Sequence, residues 1–305
     1  MMDDRTLTAF LEGQVTKENI LFGEPMSRHT SLKIGGPARI FVRIPSAGAL
    51  RAVLRYLAQT GQEYFILGKG SNLLVGDRGY NGVILQMTEA LCDIRVDGER
   101  IIAGAGASLP LVAQEAAKAG LAGLEFAAGI PGSVGGAIVM NAGAYDGEMK
   151  QIVENVTVYD RMGEEMNLDN DTMEFGYRTS IIKNRPFVVS QVTMKLSAGD
   201  PVRIREQMEE YNRRRREKQP LEYPSAGSTF KRPEGHFAGK LIMDAGLRGL
   251  RVGDAQVSEK HCGFIVNIGN ATAEDVRELM EEVQESVKKQ LGVRLEPEVI
   301  CLGDF

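Results

Sequence analysis

Hydrophobic positions along the chain change period repeatedly, and each change marks an element. "ARIFVRI" (38–44) reads as a strand, "AGALRAVLRYLAQT" (47–60) repeats apolar residues at helical spacing and stops at Gly61, and "YFIL" (64–67) is again a short strand. This is a β-α-β unit. It runs at once into "GKGSN" (68–72), a turn with two glycines, and then into two more strand candidates, "LLV" and "GVILQM". A second block opens near residue 90, where "LCDIRV" and "RIIAGAG" flank Asp97-Gly98 as a hairpin. Ser108 is expected to cap a helix running to Gly120. Strands are expected at 152–160 and 187–196, with a short helical or turn segment between them.

Composition shifts near Gly199-Asp200-Pro201. "VRIREQMEEYNRRRREKQP" reads as one charged helix ending at Pro220, its arginine run a solvated face. Beyond it the pattern predicts a helix through "FAGKLIMDAG", strands near 252–257 and 264–267, a helix opened by Thr272 with Asp275 completing a capping box, and a strand-like "VRLEPEVICL". The fold class expected is α+β, with a domain boundary near residue 200.

With 43% hydrophobic and 25% charged residues in 305, the chain has the composition of a globular protein large enough for two or three compact domains. A net charge of −5 supplies no broad basic field, so a small molecule is expected as partner rather than nucleic acid or a membrane surface. The amino terminus lacks a basic segment followed by an apolar core, and no apolar run approaches the roughly 20 residues that span a bilayer, so a cytoplasmic protein is expected. Cys92, Cys262 and Cys301 show no metal spacing and His29, His236 and His261 are scattered, so no protein-held metal is expected.

The stretch "AAGIPGSVGGAIVMNAGAY" (127–145) holds five glycines and a single amide side chain, Asn141. Glycine permits positive φ and lets another surface approach the backbone N–H groups, so such a loop either turns tightly or cradles an anion. Neither this loop nor "GKGSN" is a Walker A sequence, and no proper G-x-G-x-x-G occurs, which argues against a kinase and against a Rossmann domain. Two such loops in one block could still wrap one diphosphate; the alternative for each is a tight turn packed on its own sheet.

Three further residues have chemical character. Arg178 in "FGYRTS" could pair bidentately with a carboxylate, Ser228 in "SAGSTFKRP" could give a proton, and Glu298 in "LEPEV" could stabilise a polarised intermediate. Taken alone each is bland: an arginine after a tyrosine is usually a surface ion pair, a serine between glycine and threonine is usually a turn residue, and a glutamate after Pro297 can simply blunt an edge strand.

These motifs together resemble the UDP-N-acetylenolpyruvoylglucosamine reductase family, flavoenzymes of bacterial cell-wall synthesis. The resemblance is carried by "TSLKIGGPA", "GKGSNLLV", "AAGIPGSVGGAIVMNAGAY", "FGYRTS", "KQP", "PSAGSTFKRP", "HCGFIVN" and "LEPEV", in the family's order from about residue 30 to residue 300. It implies an N-terminal helical segment (1–29), an FAD domain of the vanillyl-alcohol-oxidase (PCMH) type at 30–198 in two subdomains (about 30–89 and 90–198), and a substrate domain at 199–305. The last strand is expected to return toward the flavin site.

The resemblance further implies FAD held against Gly68, Lys69, Gly70, Ser71, Asn72 and Leu73 and against Gly129, Pro131, Gly132, Ser133, Gly135, Gly136, Asn141, Gly143 and Ala144. Neither loop contains a histidine, so non-covalent FAD is expected. NADPH is the implied hydride donor and a UDP-sugar the substrate. Arg178 matches the arginine that holds the enolpyruvyl carboxylate, Ser228 the proton donor to carbon and Glu298 the carboxylate that stabilises the enol; Tyr177, Lys218 and Lys231 are implied substrate contacts. "KRP" at 231–233 and the lack of a tyrosine-bearing insertion after "FGYRTS" place the resemblance with the family's shorter second class, and Cys262 is expected to be packing. The sequence also allows two other readings: an oxidase or dehydrogenase of the same fold, which would favour a covalent-flavin histidine, and a non-redox nucleotide-binding protein, which would be colourless when purified.

Overall fold

Alternating apolar residues build the larger sheet. Val153–Tyr159 pairs antiparallel with Glu165–Asp169 on one side and Val188–Lys195 on the other, and Val188–Lys195 continues through Arg100–Gly104 to Ile94–Asp97. Val156, Val158, Val192, Ile101 and Ala103 are buried from this sheet, while the two outer strands are mostly exposed and polar, which suits sheet edges. The outer strand Glu165–Asp169 lies where the sequence suggested a helical or turn segment. "EMNLD" lacks β-branched residues and buries only Leu168, so its strand state comes from pairing rather than propensity. Over it, Leu109–Lys118 buries Leu109, Val112, Ala113, Ala116 and Ala117, one helical face.

The computed structural model describes residues 4–305 and divides into two compact units that do not follow chain order. The first comprises residues up to Phe22, Ile40–Lys69 and Gly82–Arg213; the second comprises Gly23–Arg39, Gly70–Asn81 and Arg214–Phe305. The division falls inside the helix Pro201–Lys218 and between Lys69 and Gly70, so "GKGSN" is shared between the units. Each unit has its own apolar core.

In the first unit the expected β-α-β stretch is present. Helix Ala47–Thr60 starts where Ser46 Oγ accepts from Ala49 N–H at 3.2 Å and stops at Gly61 with φ 65°, and Tyr64–Leu67 pairs parallel with residues 83–86. Ser108 occupies the N-cap of Leu109–Lys118, but its hydroxyl makes no cap bond. The N-terminal segment is only partly helical: Asp4–Glu12 is a helix, and Ile20–Pro25 is a strand whose last three residues are counted with the second unit.

In the second unit, Ser225–Ser228, Phe264–Asn267, Ala255–Val257 and Arg251–Val252 form an antiparallel sheet in that order. Helix Ala273–Leu291 covers it with Val276, Leu279, Met280, Val283 and Val287 and begins at the expected Thr272–Asp275 capping box. Asp77 adds to this start, its carboxylate accepting from Ala273 and Glu274 N–H at 2.9 and 3.0 Å. The strand expected over "VRLEPEVICL" shortens to Ile300–Leu302, which pairs parallel with Leu73–Val75. Pro297 limits the rest, leaving one isolated bridge to Phe230.

Candidate active site

The glycine-rich stretch 127–145 is not a bare loop, since Val134–Val139 inside it is a short helix. Its N–H groups divide into two sets. Those of Val134, Gly135 and Gly136 donate within the protein, to Ala107 O at 2.9 Å, Ala105 O at 2.8 Å and Ser133 Oγ at 3.2 Å. Those of Gly129, Gly132 and Ser133 meet no acceptor among the described residues. The two glycine loops also touch within the first unit: a Cβ added at Gly68 would lie 2.4 Å from Ser133 Oγ. Spare N–H donors beside a glycine with no room for a side chain fit an anionic diphosphate, the chemistry FAD presents.

Turning does not account for the glycines of this stretch, and at Gly135 and Gly143 closeness does. None of Gly129, Gly132, Gly135 and Gly136 has positive φ; the left-handed residues here are Asn141 at 41°, Tyr145 at 52° and Asp146 at 65°. Gly135 packs on its own sheet, because a Cβ there would sit 3.0 Å from Ala105 Cβ and 3.2 Å from Ala105 O. For this glycine the tight-packing alternative describes the geometry. Gly143 and Ala144 pair with Glu148 and Gly147 in a small hairpin whose Tyr145 stacks on Tyr211 at 4.3 Å and donates its hydroxyl to Tyr211 O at 2.9 Å. Pro131 and Lys69 are exposed.

Arg178 stands at the tip of a two-residue turn closed by Gly176 N–H to Thr179 O at 3.1 Å and Thr179 N–H to Gly176 O at 3.3 Å. Its φ is 55°, a position usually given to Gly or Asn. Asn141 accounts for the turn's placement: wholly buried, it donates from Nδ2 to Gly176 O at 3.1 Å and accepts at Oδ1 from Lys150 N–H at 2.9 Å. Ser180, also buried, donates to Val139 O at 3.1 Å, and Lys183 Nζ donates to Arg178 O at 3.0 Å. The Asn141 side chain is thus committed to the protein, fastening the glycine stretch to the turn of Arg178. Tyr177 is exposed, its ring 5.4 Å from the Arg178 guanidinium carbon.

Ser228 and Glu298 belong to the second unit, which brings their segments together. Glu298 N–H donates to Thr229 O at 2.8 Å, and Lys231 N–H donates to Glu296 O at 2.8 Å. Ser225 pairs with Val266 and Ser228 with Phe264, so that Ala226 and Gly227 lie opposite the single residue Ile265, and Gly227 takes φ 79° at this bulge. A bulge turns the following side chain outward, and Ser228 is exposed. Thr229, next to it, is buried and fixed three times: its N–H donates to Gly263 O at 2.8 Å, its hydroxyl accepts from Ile265 N–H at 3.0 Å, and its carbonyl holds Glu298. Sequence reasoning passed over Thr229, whose only signal is its place between Ser228 and Phe230.

The second half of "GKGSN" joins these strands. Asn72 donates from Nδ2 to Glu298 O at 3.0 Å and accepts at its carbonyl from Ile300 N–H at 3.0 Å, and Leu73 pairs with Ile300. Gly70 turns with φ 60°, where a Cβ would lie 2.0 Å from His29 O. Lys231 pairs with Glu296 at 3.2 Å, and Lys218 is the exposed last residue of its helix. Cys262 is buried in the second core, and burial pushes its thiol up, away from reactive thiolate. Among the described residues no cluster of His, Cys, Asp or Glu is suited to a metal, and no helix is long and apolar enough to cross a membrane.

Two family matches and several full-length relatives cover this chain. Residues 38–169 match an FAD binding domain, and residues 219–302 match the C-terminal domain of UDP-N-acetylenolpyruvoylglucosamine reductase. The chain is 50% identical over 292 residues to the UDP-N-acetylenolpyruvoylglucosamine reductase of Caldanaerobacter subterraneus, covering 95% of this chain and 96% of that one. Against the protein of that name from Agathobacter rectalis it is 48% identical over 314 residues, covering 99% and 100%. The crystal structure of UDP-N-acetylenolpyruvylglucosamine reductase from Thermus caldophilus is similar with a TM-score of 0.80 at 38% identity, covering 93% of this chain and 98% of that one.

Proposed function

The chain belongs to the UDP-N-acetylenolpyruvoylglucosamine reductase family, and we propose that Arg178, Ser228 and Glu298 do the residue-level work of its reaction. The protein is a flavin-dependent oxidoreductase that reduces UDP-N-acetylglucosamine enolpyruvate to UDP-N-acetylmuramate in peptidoglycan synthesis, with FAD as cofactor and NADPH as hydride donor. Bound FAD supplies the hydride relay from NADPH to the enolpyruvyl methylene carbon.

The residues supply charge, proton and position. Hydride addition to an enol ether conjugated with a carboxylate drives negative charge toward that carboxylate, so a fixed guanidinium there lowers the barrier; Arg178 takes this role. Ser228 delivers a proton to the carbon adjacent to the one that gains hydride. Glu298 stabilises the enol form that precedes this transfer. Tyr177, Lys218 and Lys231 are assigned to substrate contact. The N–H groups of Gly129, Gly132 and Ser133, with Gly68 and Lys69, are assigned to the diphosphate of a non-covalent FAD, and Gly70, Ser71, Asn72 and Leu73 complete the cofactor set. Pro131, Gly135, Gly136, Gly143 and Ala144 shape that loop, and Asn141 fastens it. NADPH and a UDP-sugar are metabolites of the cytoplasm, where we place the reaction.

The observation that carries this reading is the bulge at Gly227, which turns Ser228 out beside the segment of Glu298 while Thr229 ties the two together. Mixing purified protein with NADPH and UDP-N-acetylglucosamine enolpyruvate tests it, with loss of NADPH absorbance expected only when the sugar is present. Substrate-independent oxidation alone would sink it. Intact FAD should also leave the protein on mild denaturation, and flavin retained by the precipitate would contradict non-covalent binding.

A further inference from the structure

"TSLKIGGPA" carries the family resemblance, yet the reaction gives its residues no task. In the second unit Ser31 from this stretch contacts both the flavin loop and the strand of Ser228. Its N–H donates to Gly70 O at 3.1 Å, in the flavin loop, and its hydroxyl, which also lies 3.4 Å from Gly70 O, makes its shorter bond to Ser225 O at 2.6 Å, at the start of the strand that ends in Ser228. Neighbours hold Ser31 in place. Buried Thr30 donates its hydroxyl to Ile34 O at 2.7 Å, and buried Asn267 donates from Nδ2 to Leu32 O at 3.1 Å. Asn72 makes the matching connection on the other side of the loop, donating to Glu298 O at 3.0 Å and accepting from Ile300 N–H at 3.0 Å.

We propose that Ser31 and Asn72 form a strap that joins the flavin loop Gly70–Asn72 to the strands of Ser228 and Glu298, so that FAD binding fixes the proton donor and the carboxylate. Ser31 is a positioning residue, and Asn72, a member of the cofactor loop, acts in the same way through its side-chain bond to Glu298 O; the inference rests on FAD binding as read above. The loop is coupled to Ser31 because Gly70 O accepts from Ser31 N–H at 3.1 Å and Gly70 packs against His29 and Thr30 too closely for a side chain. Ser31 cannot move without pulling on Ser225. The bulge at Gly227 is the weak point of this strand, since fewer ladder bonds fix its register there. A hydroxyl bond at Ser225 is therefore placed where it limits the orientation of Ser228.

The test is amide hydrogen exchange of the full chain, stripped of FAD and then reloaded, with each variant compared at the same multiple of its own FAD dissociation constant. At FAD a hundredfold above that constant, amides that open only with FAD release gain about 100-fold protection. In the parent protein, Ser225–Thr229 and residues 296–300 are expected to show this gain. In Ser31→Ala the gain over Ser225–Thr229 is expected to fall below about threefold while the flavin loop keeps its own, and Ser31→Thr, which retains the hydroxyl, is expected to restore it. Asn72→Ala is expected to show the same loss over residues 296–300, and it decides the matter if Ser31→Ala does not fold. Undiminished protection of the strands in either folded variant overturns the strap. Absence of FAD binding by the parent protein overturns instead the reading on which it rests.

Discussion

Arg178 and Ser228 are set out by opposite devices. At Arg178 the functional residue itself takes the left-handed backbone, φ 55°, and side chains from Asn141, Ser180 and Lys183 hold the turn around it. At Ser228 the positive φ falls on Gly227, and a ladder of backbone bonds through Thr229 holds the rest. A non-glycine residue at such φ stores about 1–3 kcal/mol of strain, which the surrounding bonds must offset. Glycine avoids most of it. The arginine turn should therefore depend on a few side chains, and the serine strand on one glycine.

The largest effect expected separates chemistry from scaffold in the serine strand. Ser228→Ala removes an exposed hydroxyl and leaves the bulge and ladder intact, so thermal stability should barely move. Flavin bleaching by NADPH needs no proton from Ser228 and should be nearly unchanged. Reoxidation by the enolpyruvyl sugar should slow by roughly 10²–10⁴-fold, the scale of a lost general acid. Stopped-flow traces of each half-reaction decide it; equal slowing of both would make Ser228 a structural turn residue.

Arg178→Lys comes next. Charge is retained, but an ammonium cannot reproduce the forked donors of a guanidinium on a carboxylate, so turnover should fall by roughly 10²–10³-fold. Activity within a few-fold of the parent would remove Arg178 from the site.

The comparison itself is tested by a pair of variants away from the reacting groups. Asn141→Ala strips Gly176 O and Lys150 N–H of their partner, at about 1–3 kcal/mol, and adds the strain of alanine at a left-handed φ of 41°. Gly227→Ala meets open space, so only the left-handed backbone opposes it, at about 1–2 kcal/mol. Denaturant midpoints measure both costs. Each variant should also slow the reaction, Asn141→Ala by weakening sugar binding through Arg178 and Gly227→Ala by misaiming Ser228 without raising KM. The same KM and kcat pattern in both variants would mean that the two devices are not separate.

Much of this was legible in the sequence where a local signal and the fold agree. Gly61 stops its helix, Thr272 and Asp275 cap theirs, and the glycines of "GKGSN" mark a turn. What escaped was set by partners distant in the chain. The edge strand Glu165–Asp169 exists through pairing, and the commitments of Asn141 and Ser31 are to residues 35 and 194 positions away. The glycine stretch shows a subtler limit: sequence marks glycines without saying whether conformation or closeness demands them. At Gly227 it is conformation, at Gly135 closeness, and at Gly70 both.

The smallest effect expected concerns how the serine ladder responds to pH. His261 lies two residues from Gly263, whose carbonyl holds Thr229 N–H, and its Nδ1 accepts from Gly263 N–H at 3.1 Å. An accepting Nδ1 puts the proton of the neutral ring on Nε2. The ring packs edge-on to Phe264, centroids 5.0 Å apart, and burial holds its pKa below the ordinary value near 6.5. Because the folded value is the lower one, the unfolded chain binds more protons as pH falls through about 6.5. Stability should therefore be level above that point, decline as pH drops toward the folded pKa, and level again below it. Urea midpoints at pH 7.5 and 5.5 measure the decline, and the variant to compare is His261→Gln, whose amide oxygen can still accept from Gly263 but cannot titrate. A smaller decline in the variant places the acid sensitivity at this ring. An equal decline in both proteins would assign it to other groups and leave the ladder under Ser228 indifferent to pH.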